Sequence, residues 1–444
     1  MSHRYFPHTP DDVEAMLLAC GVNNIDDLYV DVPDSLKFKK EYNLPSEMSE
    51  TEIDRYFRNI LKKNRRFETV LAGAGYYSHR TPSVIPYLTS RSEFLTAYTP
   101  YQPEISQGTL QYIFEFQSMM TQLTGLEISN ASMYDGATAT AEAMIMAVSN
   151  ARKKNRVLIS SVMNPTVLKV VQTYAHYHGI TLEFLKTDQN GSTSKEELES
   201  ELTKGDVAGV IVSTPNFYGI LEDFSGWADI CHQNKALLIM NCIPSTLVSI
   251  KSPGEWGADI AVGDAQSLGL PLSFGGPYLG LICCTKALMR KIPGRIVGAT
   301  VDNKGRRSFV LTLQAREQHI RREKATSNIC SNQGLMALCV TIYLSLMGKD
   351  GLEESNKISY DGAHWLAKEL CATGKLKMTF QSSVFFNEFC VTAHEEVLNK
   401  ITALAMENDI LPGVRIDKDK LLIAVTETTD KKQLEKFIKI VQTA

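Results

Sequence analysis

Between residues 156 and 284 the chain repeats one theme: a short apolar run, a polar turn, then an amphipathic segment. The apolar runs at 157–160, 181–185, 207–213, 236–240, 259–262 and 278–284 predict strands. The stretches 165–178, 195–202 and 227–234 predict helices, the first stopped by Gly179 and the second preceded by Ser194. Apolar strands spaced by helices pack as a largely parallel sheet covered on both faces. Ligands of such sheets sit at the carboxyl ends of the strands. Here those ends are Thr214-Pro215-Asn216, Asn241-Cys242 and the loop 264–267.

A chain of 444 residues is long enough for several units at about 150 residues each. The expected division is an N-terminal helical arm (1–65), a large α/β domain (66–330) and a small C-terminal α/β domain (331–444). Hydrophobic content of 44% and charge of 22% are those of an ordinary soluble protein. A net charge of −4 gives no bulk reason to expect nucleic acid or an acidic membrane as partner. None of the nine cysteines forms a Cys-x-x-Cys pair and several lie in apolar runs. They read as reduced core residues, neither a disulfide frame nor a zinc site. The start of the chain has no apolar stretch of signal-peptide type. The apolar run 337–347 falls short of the ~20 residues that span a bilayer. A cytoplasmic protein is expected.

In the arm, Thr9 and Pro10 open a helix that Gly21 stops, and residues 25–29 suggest a second, short one. Ser49 with Glu52 forms a capping box before a helix over 53–63. The stretches 72–77 and 99–108 are loops, broken by glycine and proline. Their tyrosines are either packed in the core or set at a site. Asp135, Gly136, Ala137 and Thr138 open an Ala/Met-rich helix. Small residues at a helix start leave N–H groups open to an anion such as phosphate, although a plain N-cap on a buried helix has the same sequence. In 310–333, Arg316, Arg321, Arg322 and Lys324 alternate with Glu317 and Glu323. That pattern fits a solvated helix face with i,i+4 pairs, or an arginine clamp for phosphate or carboxylate. His176 and His178 lack nearby ligand partners, so they read as ordinary histidines and no metal site is expected. Beyond Gly334 the pattern predicts a helix over 335–347, another through Leu370, a strand pair near 384–391, a helix near 395–408, a strand at 421–425 and a last helix at 431–441.

Five segments together are specific. They are Gly75-Tyr76-Tyr77, Tyr98-Thr99-Pro100-Tyr101-Gln102-Pro103-Glu104-Ile105-Ser106-Gln107-Gly108, Tyr134-Asp135-Gly136-Ala137-Thr138, Ser273-Phe274-Gly275-Gly276-Pro277, and the run 316–328 beginning Arg316-Glu317-Gln318-His319-Ile320-Arg321-Arg322. They resemble the glycine dehydrogenase (decarboxylating) family, the P-protein of the glycine cleavage system, over essentially the whole chain. The resemblance implies a fold type I, aspartate aminotransferase-like architecture built for pyridoxal phosphate (PLP). It implies a reaction in which glycine is decarboxylated and its aminomethyl group passes to the lipoyl arm of H-protein. Some members of the family are one long chain of two homologous halves; others split the halves into alpha and beta subunits. This chain looks like the first, alpha half.

In that fold a stretch shaped like 257–280 carries the lysine that holds PLP. Here no lysine occurs from Ser252 through Thr285, and Gln266 and Ser267 fall about where it belongs. The carboxylate that pairs with the pyridine nitrogen is also lacking: Asn241 follows the relevant strand, and no Asp or Glu lies between Lys235 and Ser252. The resemblance therefore implies no catalytic residue in this chain, no cofactor held by it alone, and PLP in a beta subunit. Its expected partners are that subunit, in an alpha2-beta2 assembly, lipoylated H-protein and glycine. Tyr76, Tyr77, Thr99, Tyr101, Gln102, Glu104, Ser106, Arg316, Arg321 and Arg322 are the expected wall of a shared site. Asp135 to Thr138 are the expected vestige of a phosphate cup. Two rivals stand beside this: a non-catalytic scaffold that docks H-protein, and an independent PLP transaminase or lyase. The second needs a lysine on a strand-end loop, but Lys251 lies just ahead of Pro253 and Lys286 opens a helix.

Overall fold

The computed structural model describes residues 5, 7–151, 153–314 and 318–444. It divides into two compact units, 1–65 and 66–444.

The first unit is helical. Thr9 caps the helix Pro10–Cys20 through a capping box with Asp12, and Gly21 ends it in the left-handed region. Asn24 and Asp27 cap a short 3-10 turn, Ile25–Tyr29. Ser49 and Glu52 form the expected box, and the helix Glu50–Leu61 starts three residues earlier than expected. A capping box satisfies two orphan N–H groups at once, so the start is fixed locally.

The second unit is built on a seven-stranded sheet. Its order across is Ile128–Ser129, Gly280–Cys284, Ile260–Asp264, Leu237–Cys242, Val207–Thr214, Arg156–Ser160 and Thr181–Leu185. The last five run parallel. Gly280–Cys284 runs antiparallel to both its neighbours. Val207–Thr214 is buried at every position, as a strand covered on both faces must be. On one face lies the buried helix Gly136–Ala151 with its alanines and methionines. On the other, Phe224, Trp227 and Cys231 pack beneath the strands.

Among the elements that the sequence pattern does not predict are a long helix and a hairpin. The helix Gln107–Thr124 buries Leu110, Ile113, Phe116 and Met120. An antiparallel hairpin pairs Ile296–Val301 with Arg307–Thr312. The hairpin corrects the helical reading of 310–333: that stretch finishes a strand, and among the described residues its helical pieces are short, including the turns Gln318–Arg321 and Arg322–Lys324.

A second, four-stranded antiparallel sheet carries Lys377–Met378, Glu388–Thr392, Lys420–Ala424 and Val414–Asp417 in that order. The helices Glu395–Glu407 and Lys431–Thr443 close its core. Thr69–Val70 pairs in parallel with Ile410–Leu411, and Leu71 is fully buried in this second core. That pairing leads the loop 73–77 toward Glu388. The apolar run 337–347 lies in Gly334–Ala372, where the two expected helices meet at the non-helical Gly348 (φ 60°). Among the described residues this helix alone is long and apolar enough to cross a bilayer by length and composition. Its buried residues sit in the two cores, from Ala337 to Leu352 in one and from Ala363 to Leu370 in the other. The cysteine reading needs correction as well: six are buried, but Cys20 and Cys330 are exposed and Cys371 is half-buried.

Candidate functional site

Three strands of the main sheet end at one place. Val207–Thr214 delivers Ser213, Leu237–Cys242 delivers Asn241, and Ile260–Asp264 delivers Asp264. These meet Tyr76, Gly136, Asn164 and Glu388 around a cavity of about 50 Å³. Cavities that hold cofactors and small ligands are roughly 300–1,000 Å³. This one has room for a few waters.

The helix start is occupied by the chain itself. Asp135 accepts from the N–H of Thr138 at 2.8 Å, and the Thr138 hydroxyl returns a bond to the Asp135 carbonyl at 3.1 Å. Gly136 N–H donates to Oδ2 of Asp264 at 3.0 Å, while Gln266 N–H donates to Oδ1 at 2.9 Å. One carboxylate thus lies across the positive end of the helix Gly136–Ala151. Only glycine permits the approach: a Cβ at Gly136 would fall 2.7 Å from the backbone nitrogen of Asp264. Ala137 is buried behind it. Asn241 spends its amide on the Thr140 hydroxyl at 2.8 Å.

Gln266 is locked to the loop 73–77. Its side-chain oxygen accepts from Tyr77 N–H at 3.0 Å, and its amide donates to the carbonyls of Tyr77 (2.9 Å) and Leu270 (2.8 Å). Ser267 is buried, and its hydroxyl accepts from Ser245 N–H at 3.4 Å. From the opposite side Glu388 accepts the N–H of Ala74 at 2.6 Å and the hydroxyl of Tyr77 at 2.8 Å. Tyr76 stacks on Tyr278 with ring centroids 4.9 Å apart.

Burial dominates the electrostatics. The Asp264 carboxyl is pushed up to about 7 by desolvation, although backbone hydrogen bonds from Gly136, Gln266 and Leu279 oppose the shift. Glu388 is pushed up to about 7 for the same reason, against its bonds from Ala74 and Tyr77. The hydroxyls of Tyr76 and Tyr77 are raised too, first by burial and then by the neighbouring carboxylates. Asp264, Glu388 and the two tyrosines are thus poised to stay neutral, whereas the buried Ser213 hydroxyl in the same wall has no hydrogen-bond partner among the described residues.

The remaining wall candidates gather elsewhere. Tyr101, Gln102 and Glu104 are exposed, Thr99 and Ser106 half-buried. Ser106 stands before the helix Gln107–Thr124 without a side-chain cap bond. The Tyr101 hydroxyl accepts from Arg295 at 3.1 Å, and its ring meets that of His319 edge-on at 6.4 Å. Arg321 and Arg322 follow on exposed turns. The loop 98–108 and the basic segment are therefore neighbours, as a common wall requires, while Tyr76 and Tyr77 belong to the strand-end cavity. Arg316 lies outside the described residues. Sequence reading did not single out Glu388, which comes from a distant strand. It named the loop 264–267 as a strand end without a role for Asp264. A carboxylate directly after an apolar strand, facing Asp-Gly at a helix start, was the available signal.

The architecture is that of fold type I, PLP-dependent enzymes. A sphingosine-1-phosphate lyase from Burkholderia pseudomallei superposes with a TM-score of 0.67 at 13% identity, covering 93% of this chain and 94% of that one. That likeness is of fold alone. The family described as "Glycine cleavage system P-protein" matches residues 3–441. A probable glycine dehydrogenase (decarboxylating) subunit 1 from Moorella thermoacetica is 46% identical over 440 residues, 98% of each chain. A crystal structure of a glycine decarboxylase (P-protein) of the glycine cleavage system, in inhibitor-bound form, has a TM-score of 0.88 at 38% identity, covering 99% of this chain and 100% of that one. The chain belongs to the glycine cleavage system P-protein family.

Proposed function

We propose that this chain is the alpha subunit of a glycine decarboxylase that acts only when joined to a beta subunit carrying PLP. The assembled enzyme decarboxylates glycine and passes the aminomethyl group to the lipoyl arm of H-protein. The observation that carries this reading is the filled cup. Asp264 takes the Gly136 N–H and Asp135 the Thr138 N–H, donors that a cofactor phosphate would use at this helix start, and Gln266 near the expected lysine position is bound to the backbone of Tyr77. PLP does not fit these residues: the cavity is about 50 Å³ and Asn241 is committed to Thr140. No step of the reaction is therefore assigned to this pocket. We read Asp135 to Thr138 as its vestige.

The contribution of the chain is a wall. Tyr101, Gln102 and Glu104 and the arginines Arg321 and Arg322 are exposed, and Tyr101 meets His319 of the segment that carries those arginines. There they can bind a substrate carboxylate or a cofactor phosphate held by the partner. An alpha2-beta2 assembly, a cytoplasmic location and a boundary near residue 330 within the second unit belong to the same proposal.

The test is reconstitution with a beta subunit and H-protein. Arg321→Ala and Glu104→Gln should assemble normally and lose about 10–100-fold in glycine decarboxylation, the worth of one or two charge-assisted hydrogen bonds. Unchanged turnover in both variants would favour the scaffold reading, which the inward commitment of the strand-end groups also suits.

A further inference from the structure

A second cavity, of about 260 Å³, opens where the helices Gly136–Ala151 and Pro165–His178 meet the segment 326–329. It shares no lining residue with the strand-end cavity. Glu142 stands in its wall, only 3% exposed, on a helix otherwise lined with alanine, methionine and isoleucine. Among the described residues no Lys, Arg or His forms an ion pair with Glu142. Ser327 beside it lowers the pKa of the carboxyl, and burial still pushes the group up to about 7. A carboxylate buried without a cation is costly and is normally neutralised or paired.

The rest of the wall supplies what a cation needs. Tyr134, Tyr174 and Tyr177 border the cavity, and His178 stacks on Tyr174 with ring planes 13° apart. Tyr134 is held in place by the Cys330 N–H, which donates to its hydroxyl at 3.1 Å. Aromatic faces around a single carboxylate favour an organic ammonium, which is less strongly hydrated than a metal ion and gains from ring quadrupoles. Among the described residues no Lys, Arg, Asp or second Glu lines the cavity, and His178 is the one basic side chain there.

We propose that this cavity binds a small organic cation bearing an ammonium group, with the Glu142 carboxylate as its counter-charge and the Tyr134 and Tyr174 rings as its walls. The site needs nothing from the strand-end cavity and does not depend on the function proposed above.

The test is calorimetric titration of the purified full-length chain with methylammonium chloride, and separately with potassium chloride, at constant ionic strength in sodium buffer. Saturable methylammonium binding is expected, about tenfold or more tighter than potassium. It should vanish in Glu142→Gln and weaken about 3–30-fold in Tyr174→Leu, the range of a cation–π contact. Thermal melting establishes that each variant is folded. Where Glu142→Gln does not fold, Tyr174→Leu and Glu142→Asp carry the comparison. No saturable binding by the wild-type chain, potassium binding as tight as methylammonium, or binding unchanged in the folded variants would each overturn the proposal.

Discussion

Glu388 holds the loop 73–77 by two bonds, to Ala74 N–H and the Tyr77 hydroxyl, from inside a pocket that disfavours its charge. Its ordinary value of 4.5 is raised to about 7 in the folded chain. Between those limits the folded state keeps a proton that the unfolded state has released. The stabilising contribution is full below the ordinary value, falls as pH rises through the window, and is gone above the folded value. Asp264 behaves in the same direction, from 3.8 to about 7. Guanidinium unfolding from pH 5 to pH 8 should therefore show stability falling, by at most about 1.4 kcal/mol per pH unit for each group. Glu388→Gln should flatten that slope, and a variant with the wild-type slope would contradict the assignment. At this scale the sequence was partly legible. The absence of lysine from 252 to 285, and of Asp or Glu from 236 to 251, could be read directly. That Asp264 fills the helix start could not, because Asp264 and Gly136 are distant in sequence and meet only through the sheet.

The parallel strands were legible because each is a continuous apolar run between turn residues, and the period of the run is independent of its neighbours. The hairpin of Ile296–Val301 and Arg307–Thr312 was not. Its strands alternate weakly, and its turn depends on Asp302, whose carboxylate accepts from the N–H groups of Lys304 and Arg306. The helix Gln107–Thr124 escaped for a different reason: Gly108 and the prolines before it mark a loop, and the buried stripe begins only at Leu110. Contacts between elements were beyond local pattern altogether. Gly219 sits in the left-handed region at φ 81°, and a Cβ there would lie 1.9 Å from the carbonyl oxygen of Glu388. The same turn accepts Phe386 N–H at 3.0 Å, while Leu221 N–H reaches Val384 at 2.9 Å. This turn joins the main sheet to the second sheet. Gly219→Ala should cost about 3 kcal/mol through overpacking and backbone strain, read as a lowered denaturation midpoint. A loss under ~0.5 kcal/mol would mean that the junction is loose.

Over the whole molecule, a fold that elsewhere carries PLP keeps its sheet and its helix start here, and the polar groups at the strand ends bond within the chain. The carboxylate of Asp264 accepts from Gly136, the Gln266 amide binds the backbone of Tyr77, and Asn241 bonds to Thr140. What remains outward is the face of Tyr101, Glu104 and Arg321. The most direct test is the visible absorbance band of lysine-bound PLP, recorded with PLP supplied, on this chain alone and on the chain co-purified with a beta subunit. No band and no glycine decarboxylation from the chain alone, with both appearing in the complex, is the predicted result. A band with turnover from the chain alone would contradict the account, because one of its own lysines would then hold the cofactor.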